Sequence, residues 1–102
     1  MGDWSFLTNH ARAILFIAEH PDTRLRDLAS ALEVTERTAY GVVTDLAEAG
    51  YVVRERDGRR NRYQIQEHLP LRDQLSRERS IGELLGLLGD TELPRARRAG
   101  RK

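Results

Sequence analysis

The chain has 102 residues, of which 17 are Lys or Arg and 16 are Asp or Glu, and it contains no cysteine. This length suits one domain with short arms and leaves no room for a two-domain nucleotide-dependent enzyme. The lack of cysteine excludes disulfides, iron–sulfur clusters, thiolate zinc sites and a cysteine nucleophile. The longest apolar run is six residues, and the first residues show no signal-peptide pattern, so we expect a cytoplasmic protein without membrane contact.

Charge is divided unevenly between the two halves of the chain. Residues 1–50 carry four basic and eight acidic side chains, whereas residues 51–102 carry thirteen basic and eight acidic ones. Sixteen of the seventeen basic residues are Arg, the side chain best suited to forked contacts with phosphate. The second half is therefore where a polyanion would bind, although a solvated surface would produce the same asymmetry.

Apolar spacing predicts three helices in the first half. The first begins at Thr8 or Asn9 and ends near His20, ahead of Pro21. The second covers residues 25–32, and a tight turn separates it from a third helix, which Thr35 caps and Gly50 ends. The predicted buried faces are Ala11, Ile14, Leu15 and Ala18 in the first helix, Leu25, Leu28, Ala29 and Leu32 in the second, and Ala39, Val42, Val43, Leu46 and Ala49 in the third.

The apolar period changes to two after Gly50. Residues 51–56 and 61–66 are predicted to be strands joined by a turn at Asp57-Gly58. Pro70 follows, and the spacing of Leu71 and Leu75 then predicts a polar helix over residues 71–79. A last short helix is capped by Ser80. Residues 90–102 carry five basic side chains and few apolar ones, which predicts a disordered basic tail.

The order of these elements predicts the fold class. Two short helices joined by a tight turn form a helix-turn-helix, and a following hairpin is a wing. The fold is expected to be α+β and mostly helical: a winged helix-turn-helix of three helices plus a two-stranded β-hairpin wing, with a C-terminal helix. We assign residues 1–70 to the winged helix-turn-helix, residues 71–89 to a helical dimerisation segment and residues 90–102 to the tail.

Two groups of residues are candidates for contact with DNA. The third helix would enter the major groove with its outward face, which carries Arg37, Thr38, Tyr40, Gly41 and Thr44. Gly41 would allow close backbone approach, or it is simply a tolerated surface glycine. The hairpin would hold phosphates or the minor groove with Arg54, Arg56, Arg59, Arg60 and Arg62, unless those charges only protect an exposed strand edge.

Several blocks of sequence together form a familiar pattern. They are Trp4 to Arg12, Arg24 to Ala29, Thr35-Glu36-Arg37, Asp45-Leu46, Ala49-Gly50-Tyr51 and Gly58 to Tyr63. Together these blocks resemble small single-domain bacterial winged-helix regulators of the MarR-like or ArsR-like kind. The resemblance covers most of the chain, from Trp4 to Leu88. It implies a DNA-binding transcriptional regulator, commonly a homodimer, and it adds Thr35 to the recognition helix.

The leucine-rich last helix has more apolar surface than one packing partner would cover, which favours a two-fold dimer. The predicted dimer residues are Phe16, Ile81, Leu84, Leu85 and Leu88. Trp4 and Phe6 are expected in the core and the dimer seam, although with Phe16 they could instead line an effector pocket. A small-molecule effector is thus possible but not indicated.

Other functions have less support in the sequence. The three histidines, His10, His20 and His68, have no metal-ligand spacing, no nucleotide or nucleophile motif occurs, and we expect no metal, no cofactor and no enzyme activity. The alternative to a DNA-binding regulator is a winged-helix protein–protein interaction module without specific DNA binding. Glu36, Asp45 and Glu48 on the third helix favour that alternative, because phosphates repel them.

Overall fold

The computed structural model describes residues 4–58, 60–75 and 78–89. The chain divides into two compact units between Ile65 and Gln66. The first unit contains helices α1 (Asn9–Glu19), α2 (Leu25–Leu32) and α3 (Glu36–Glu48), followed by strands β1 (Val52–Asp57) and β2 (Arg60–Ile65). The second unit contains helix α4 (Ile81–Leu88). The predicted fold, a mostly helical winged helix-turn-helix with a C-terminal helix, is confirmed.

Local capping signals set the helix ends. The Thr8 hydroxyl accepts from Ala11 N–H ahead of α1, and the Thr35 hydroxyl accepts from Thr38 N–H ahead of α3. Such caps satisfy amides that have no partner within the helix. Gly50, with φ of 89°, follows the C-terminal end of α3 in the left-handed conformation that costs glycine least.

In the turn between α2 and α3, the position equivalent to Gly50 is occupied by Glu33, which suits this conformation less well than glycine does. Glu33 has φ of 61° and ψ of 43°, a left-handed conformation that disfavours side chains with a Cβ. Val34 N–H donates to Ala29 O and Glu33 N–H to Ser30 O, which is the Schellman pattern. The Arg12 guanidinium also donates to Leu32 O at 3.3 Å. This turn is therefore held by α1 as well as by its own backbone.

The core of the first unit lies where the three helices meet the base of the hairpin. The buried faces predicted for α2 and α3 are largely confirmed, but the one predicted for α1 is partly wrong. Two sets of apolar residues with helical spacing overlap on α1. Ala13, Ile14 and Ile17 are the buried residues, whereas Ala18, which was predicted to be buried, is exposed. The fully or nearly buried side chains of the first unit are Ala13, Ile14, Ile17, Leu28, Ala29, Leu32, Ala39, Val42, Val43, Leu46, Tyr51, Val52 and Tyr63.

Strands β1 and β2 form an antiparallel pair in which Val52 lies opposite Ile65 and Asp57 opposite Arg60. Because Asp57 belongs to the ladder, the loop begins at Gly58, one residue later than predicted. Gly58 has φ of 67°, as a tight hairpin turn requires. Tyr63 N–H donates to Pro21 O at 2.7 Å, so β2 is also bonded to the link between α1 and α2.

The predicted helix over residues 71–79 is wrong for the part that is described, since residues 71–75 and 78–79 contain no helix. Pro70 and Ser80 form an isolated antiparallel bridge, and Leu71 N–H donates to Arg79 O at 2.9 Å. The Asp73 carboxylate accepts from Leu75 N–H, a local bond that competes with helix formation. Ser80 caps α4 as predicted, in a reciprocal capping box with Glu83.

Candidate nucleic-acid interface

The N-terminal half of α3 presents a polar, solvent-exposed face. Arg37, Thr38 and Gly41 are exposed, and 55 % of the Tyr40 surface is accessible. The Thr35 hydroxyl donates to Thr38 Oγ1 at 3.1 Å while it accepts from Thr38 N–H at 3.0 Å. These bonds hold the first turn in place. The structure thus brings five of the six predicted recognition-helix residues, all except Thr44, to one accessible surface.

Thr44 differs from the other candidates on α3. Its side chain is only partly exposed, and its Oγ1 atom has less than 1 Å² of accessible surface. Within the described part of the chain this oxygen has no hydrogen-bond partner. The hydroxyl is therefore turned away from the surface on which the sequence placed it, and in this conformation it cannot bond to a phosphate.

The acidic side chains of α3 are also exposed, at Glu36, Asp45 and Glu48. Asp45 Oδ2 lies 2.8 Å from His10 Nε2 in the first turn of α1. The sequence does not predict this contact, because the two residues are 35 positions apart and no pattern links them. The contact puts a basic side chain beside one of the three carboxylates.

The strand pairing distributes the hairpin arginines over two faces. Arg54 lies opposite Tyr63 and Arg56 opposite Asn61, whereas Arg62 lies opposite Glu55 on the other face. Arg54, Arg56 and Arg62 are all exposed, and Arg56 Nε donates to Gly58 O at 3.2 Å. Arg60 pairs through its backbone position with Asp57. Arg59 lies outside the described residues.

Comparison with known proteins supplies the family. A family model described as the MarR family matches residues 5–62. The chain belongs to the MarR family. The match covers α1, α2, α3, β1 and the first half of β2, and it contains every predicted recognition-helix and wing residue. No curated protein matches the chain significantly.

Membership of the MarR family makes this chain a winged-helix transcriptional regulator, in a family whose members are regulators rather than enzymes. The matched region ends before the second unit. No helix in the described ranges is long and apolar enough to cross a membrane. Among the same residues, no group of three or more His, Asp or Glu side chains could hold a metal ion.

The residues predicted for a dimer of this MarR-family chain have different surroundings. Phe16 is partly buried and stacks on His20 with ring centroids 4.4 Å apart. On α4, Ile81 is 6 % exposed, Leu84 and Leu85 are partly buried, and Leu88 is 43 % exposed. Ile81 thus leaves little surface for a partner. The homodimer and the dimerisation role of residues 71–89 stay predictions.

Trp4 and Phe6 do not enter the core, contrary to the sequence-based expectation. They are 72 % and 90 % exposed, and their rings meet edge to face at 4.9 Å. They precede α1, whose first turn is already capped by Thr8, so they have no helical face to follow into the interior. The predicted disordered tail, residues 90–102, lies outside the described residues.

Proposed function

We propose that this MarR-family regulator binds double-stranded DNA sequence-specifically, with the N-terminal half of α3 in the major groove. The accessible surface formed by Thr35, Arg37, Thr38, Tyr40 and Gly41 carries the proposal. Arg37 is its basic member and would form a forked contact with guanine O6 and N7. The Thr38 and Tyr40 hydroxyls would bond to neighbouring phosphates. Thr44 is left out of this contact set because its hydroxyl is buried.

The hairpin would contribute contacts that do not depend on sequence. Arg54 and Arg56 extend from one face and Arg62 from the other, so the wing would grip the backbone or the minor groove on either side. Arg59 and Arg60 stay candidates for the same role on the basis of the sequence. Contacts of this kind strengthen binding to every duplex and make it depend on salt.

A homodimer would present two copies of α3 to two half-sites about 34–36 Å apart along the duplex. This spacing is one turn of B-DNA, and the two-fold symmetry of the homodimer predicts an operator with the same symmetry. The exposed Leu87 and Leu88 of α4, 71 % and 43 % accessible, support a second copy as the cover for this apolar surface.

The test is fluorescence anisotropy on a duplex from upstream of the gene and on a scrambled duplex, at about 50 and 200 mM salt. Wild type should prefer the upstream duplex by about a thousandfold. Arg37→Ala should reduce that preference by about 1–3 kcal/mol. Arg62→Ala should weaken binding to both duplexes equally and lower the salt slope by about one.

Arg72→Ala is the matched control, because it removes an exposed arginine from the second unit and should leave both affinities unchanged. Equal, salt-sensitive binding of wild type to both duplexes would contradict sequence-specific recognition. Failure to bind either duplex at low salt would contradict DNA binding altogether and would favour the protein-interaction module.

A further inference from the structure

Gly41 lies at the sixth position of the thirteen-residue helix α3, where the fold itself does not require glycine. Its φ is not in the left-handed range. Apart from its chain neighbours and its own helix backbone, a Cβ built at this position meets no atom of the described residues within 4 Å. Gly82 in α4 is different, since a Cβ there would lie 3.2 Å from Glu67. Glycine weakens a helix interior relative to alanine, so Gly41 carries a cost that no contact among the described residues explains.

Helix geometry identifies the part of the α3 surface that the lack of a side chain at Gly41 leaves uncovered. Side chains in a helix lean toward the N-terminus, so a residue covers the surface of the turn before it. A side chain at position 41 would therefore cover the backbone beside Arg37 and Thr38, which lie four and three residues earlier. Both of those side chains are exposed. The missing side chain uncovers the part of α3 that carries its one arginine.

The dimensions of α3 and of the DNA major groove explain why a missing side chain at position 41 matters. An α-helix with side chains is about 10–12 Å across, and the major groove is about 12 Å wide. A helix fits that groove with little clearance, so one side chain on its leading surface changes how deeply it enters. The exposed carboxylates Asp45 and Glu48 stand on the C-terminal side of Gly41, where phosphates would repel deeper contact.

We propose that Gly41 sets the depth at which α3 enters the major groove and that the duplex contacts the helix backbone at this point. The proposal rests on the proposed DNA binding. Gly41 is a positioning residue here, because it acts by letting Arg37 reach the base edges. A duplex held at this depth is read by the first two turns of α3, and the acidic last turn stays clear of the phosphates.

The experiment compares wild type with Gly41→Ala, and uses Ser30→Ala as the control. Ser30 is exposed inside α2 and belongs neither to the contact surface of α3 nor to the proposed dimer segment. Gly41→Ala should raise Tm by roughly 4–8 °C. It should weaken binding to the preferred duplex about tenfold or more and leave binding to scrambled duplex unchanged. Ser30→Ala, which also places alanine at an exposed helix position, should leave both affinities unchanged.

A double variant separates the positioning role from a general loss of binding. If Gly41 acts through Arg37, then Arg37→Ala/Gly41→Ala should bind the preferred duplex no more weakly than Arg37→Ala alone. Wild-type affinity of Gly41→Ala for the preferred duplex, or additive losses in the double variant, would overturn the proposal. Should wild type show no preference between duplexes, the proposed function fails, and this inference fails with it.

Discussion

His10 Nε2 and Asp45 Oδ2 lie 2.8 Å apart and join the first turn of α1 to the last turn of α3. A negative charge at the end of a helix is unfavourable for the helix dipole. The contact with the His10 ring offsets this effect for the Asp45 carboxylate. Because 45 % and 63 % of the two side chains are exposed, the pair contributes at most about 1 kcal/mol to stability.

Replacing Asp45 should therefore affect binding more than folding. Asp45→Asn removes a negative charge from α3 and should strengthen binding to any duplex about two- to fivefold at low salt, with an effect that falls as salt rises. Stability should change by less than about 0.5 kcal/mol. Anisotropy and urea unfolding measure the two quantities, and Glu78→Gln, an exposed carboxylate of the second unit, is the control. Weaker binding by Asp45→Asn would show that the carboxylate supports the interface.

The left-handed backbone conformation of Glu33 predicts that a substitution by glycine would stabilise the fold. Glu33→Gly should raise the free energy of unfolding by about 0.5–1 kcal/mol, because glycine adopts φ of 61° without a Cβ clash. Thermal melts should show a Tm higher by several degrees. Gly50→Ala, at the matching position after α3, should lower Tm by a similar amount. A lower Tm for Glu33→Gly would mean that the glutamate side chain has a stabilising role in this turn.

Thr44→Val should be neutral or stabilising by up to about 1 kcal/mol, since it removes a buried hydroxyl without a hydrogen-bond partner in the described residues. Thr35→Val is the contrasting variant, because it deletes the cap of α3 and should cost about 0.5–2 kcal/mol. Urea unfolding compares the two. Thr44→Val should also bind duplex DNA as wild type does. A loss of affinity would show that the Thr44 hydroxyl contributes to DNA contact.

Acid should weaken the start of α4 through Glu83. The Ser80 N–H bond lowers the pKa of the Glu83 carboxyl, with help from Arg79 and the Ser80 hydroxyl, and partial desolvation opposes the shift. A carboxyl whose pKa is lower in the folded state stabilises that state above the ordinary pKa of glutamate, about 4.3, and loses this effect as pH falls through the lowered value.

Far-UV circular dichroism between pH 6 and pH 3 tests this expectation. Wild type should lose more helical signal in the acid range than Glu83→Gln, whose amide keeps the capping geometry but does not titrate. Ser80→Ala removes the hydroxyl and should lower helix content throughout this range. Identical acid profiles for wild type and Glu83→Gln would contradict this expectation, because they would show that titration of the Glu83 carboxyl does not affect the helix content of α4.

Features set by neighbouring residues could be predicted from the sequence. The caps Thr35 and Ser80, the glycine after α3 and the buried faces of α2 and α3 depend on local spacing, and the structure has them. The match to the MarR family confirms the resemblance found in the same blocks. The exposed surface of α3 could also be predicted, because it lies on the side of the helix opposite the buried face.

Features set by distant contacts could not be predicted. Leu71 and Leu75 have helical spacing, but the Pro70–Ser80 bridge and the Asp73 carboxylate give their segment another conformation. The His10–Asp45 contact joins helices far apart in sequence. The inward turn of the Thr44 hydroxyl is a side-chain rotation that a helical wheel does not contain.

The bond from Tyr63 N–H to Pro21 O gives β2 a neighbour on each edge, with β1 on one side and the link before α2 on the other. A force on the hairpin tip is thus delivered to the first helix of the helix-turn-helix as well as to the neighbouring strand. The hairpin is therefore attached to the rest of the first unit at two places, through β1 and through the backbone of Tyr63. A displacement of its tip would act on the segment that precedes α2 as well as on α3, which β1 follows.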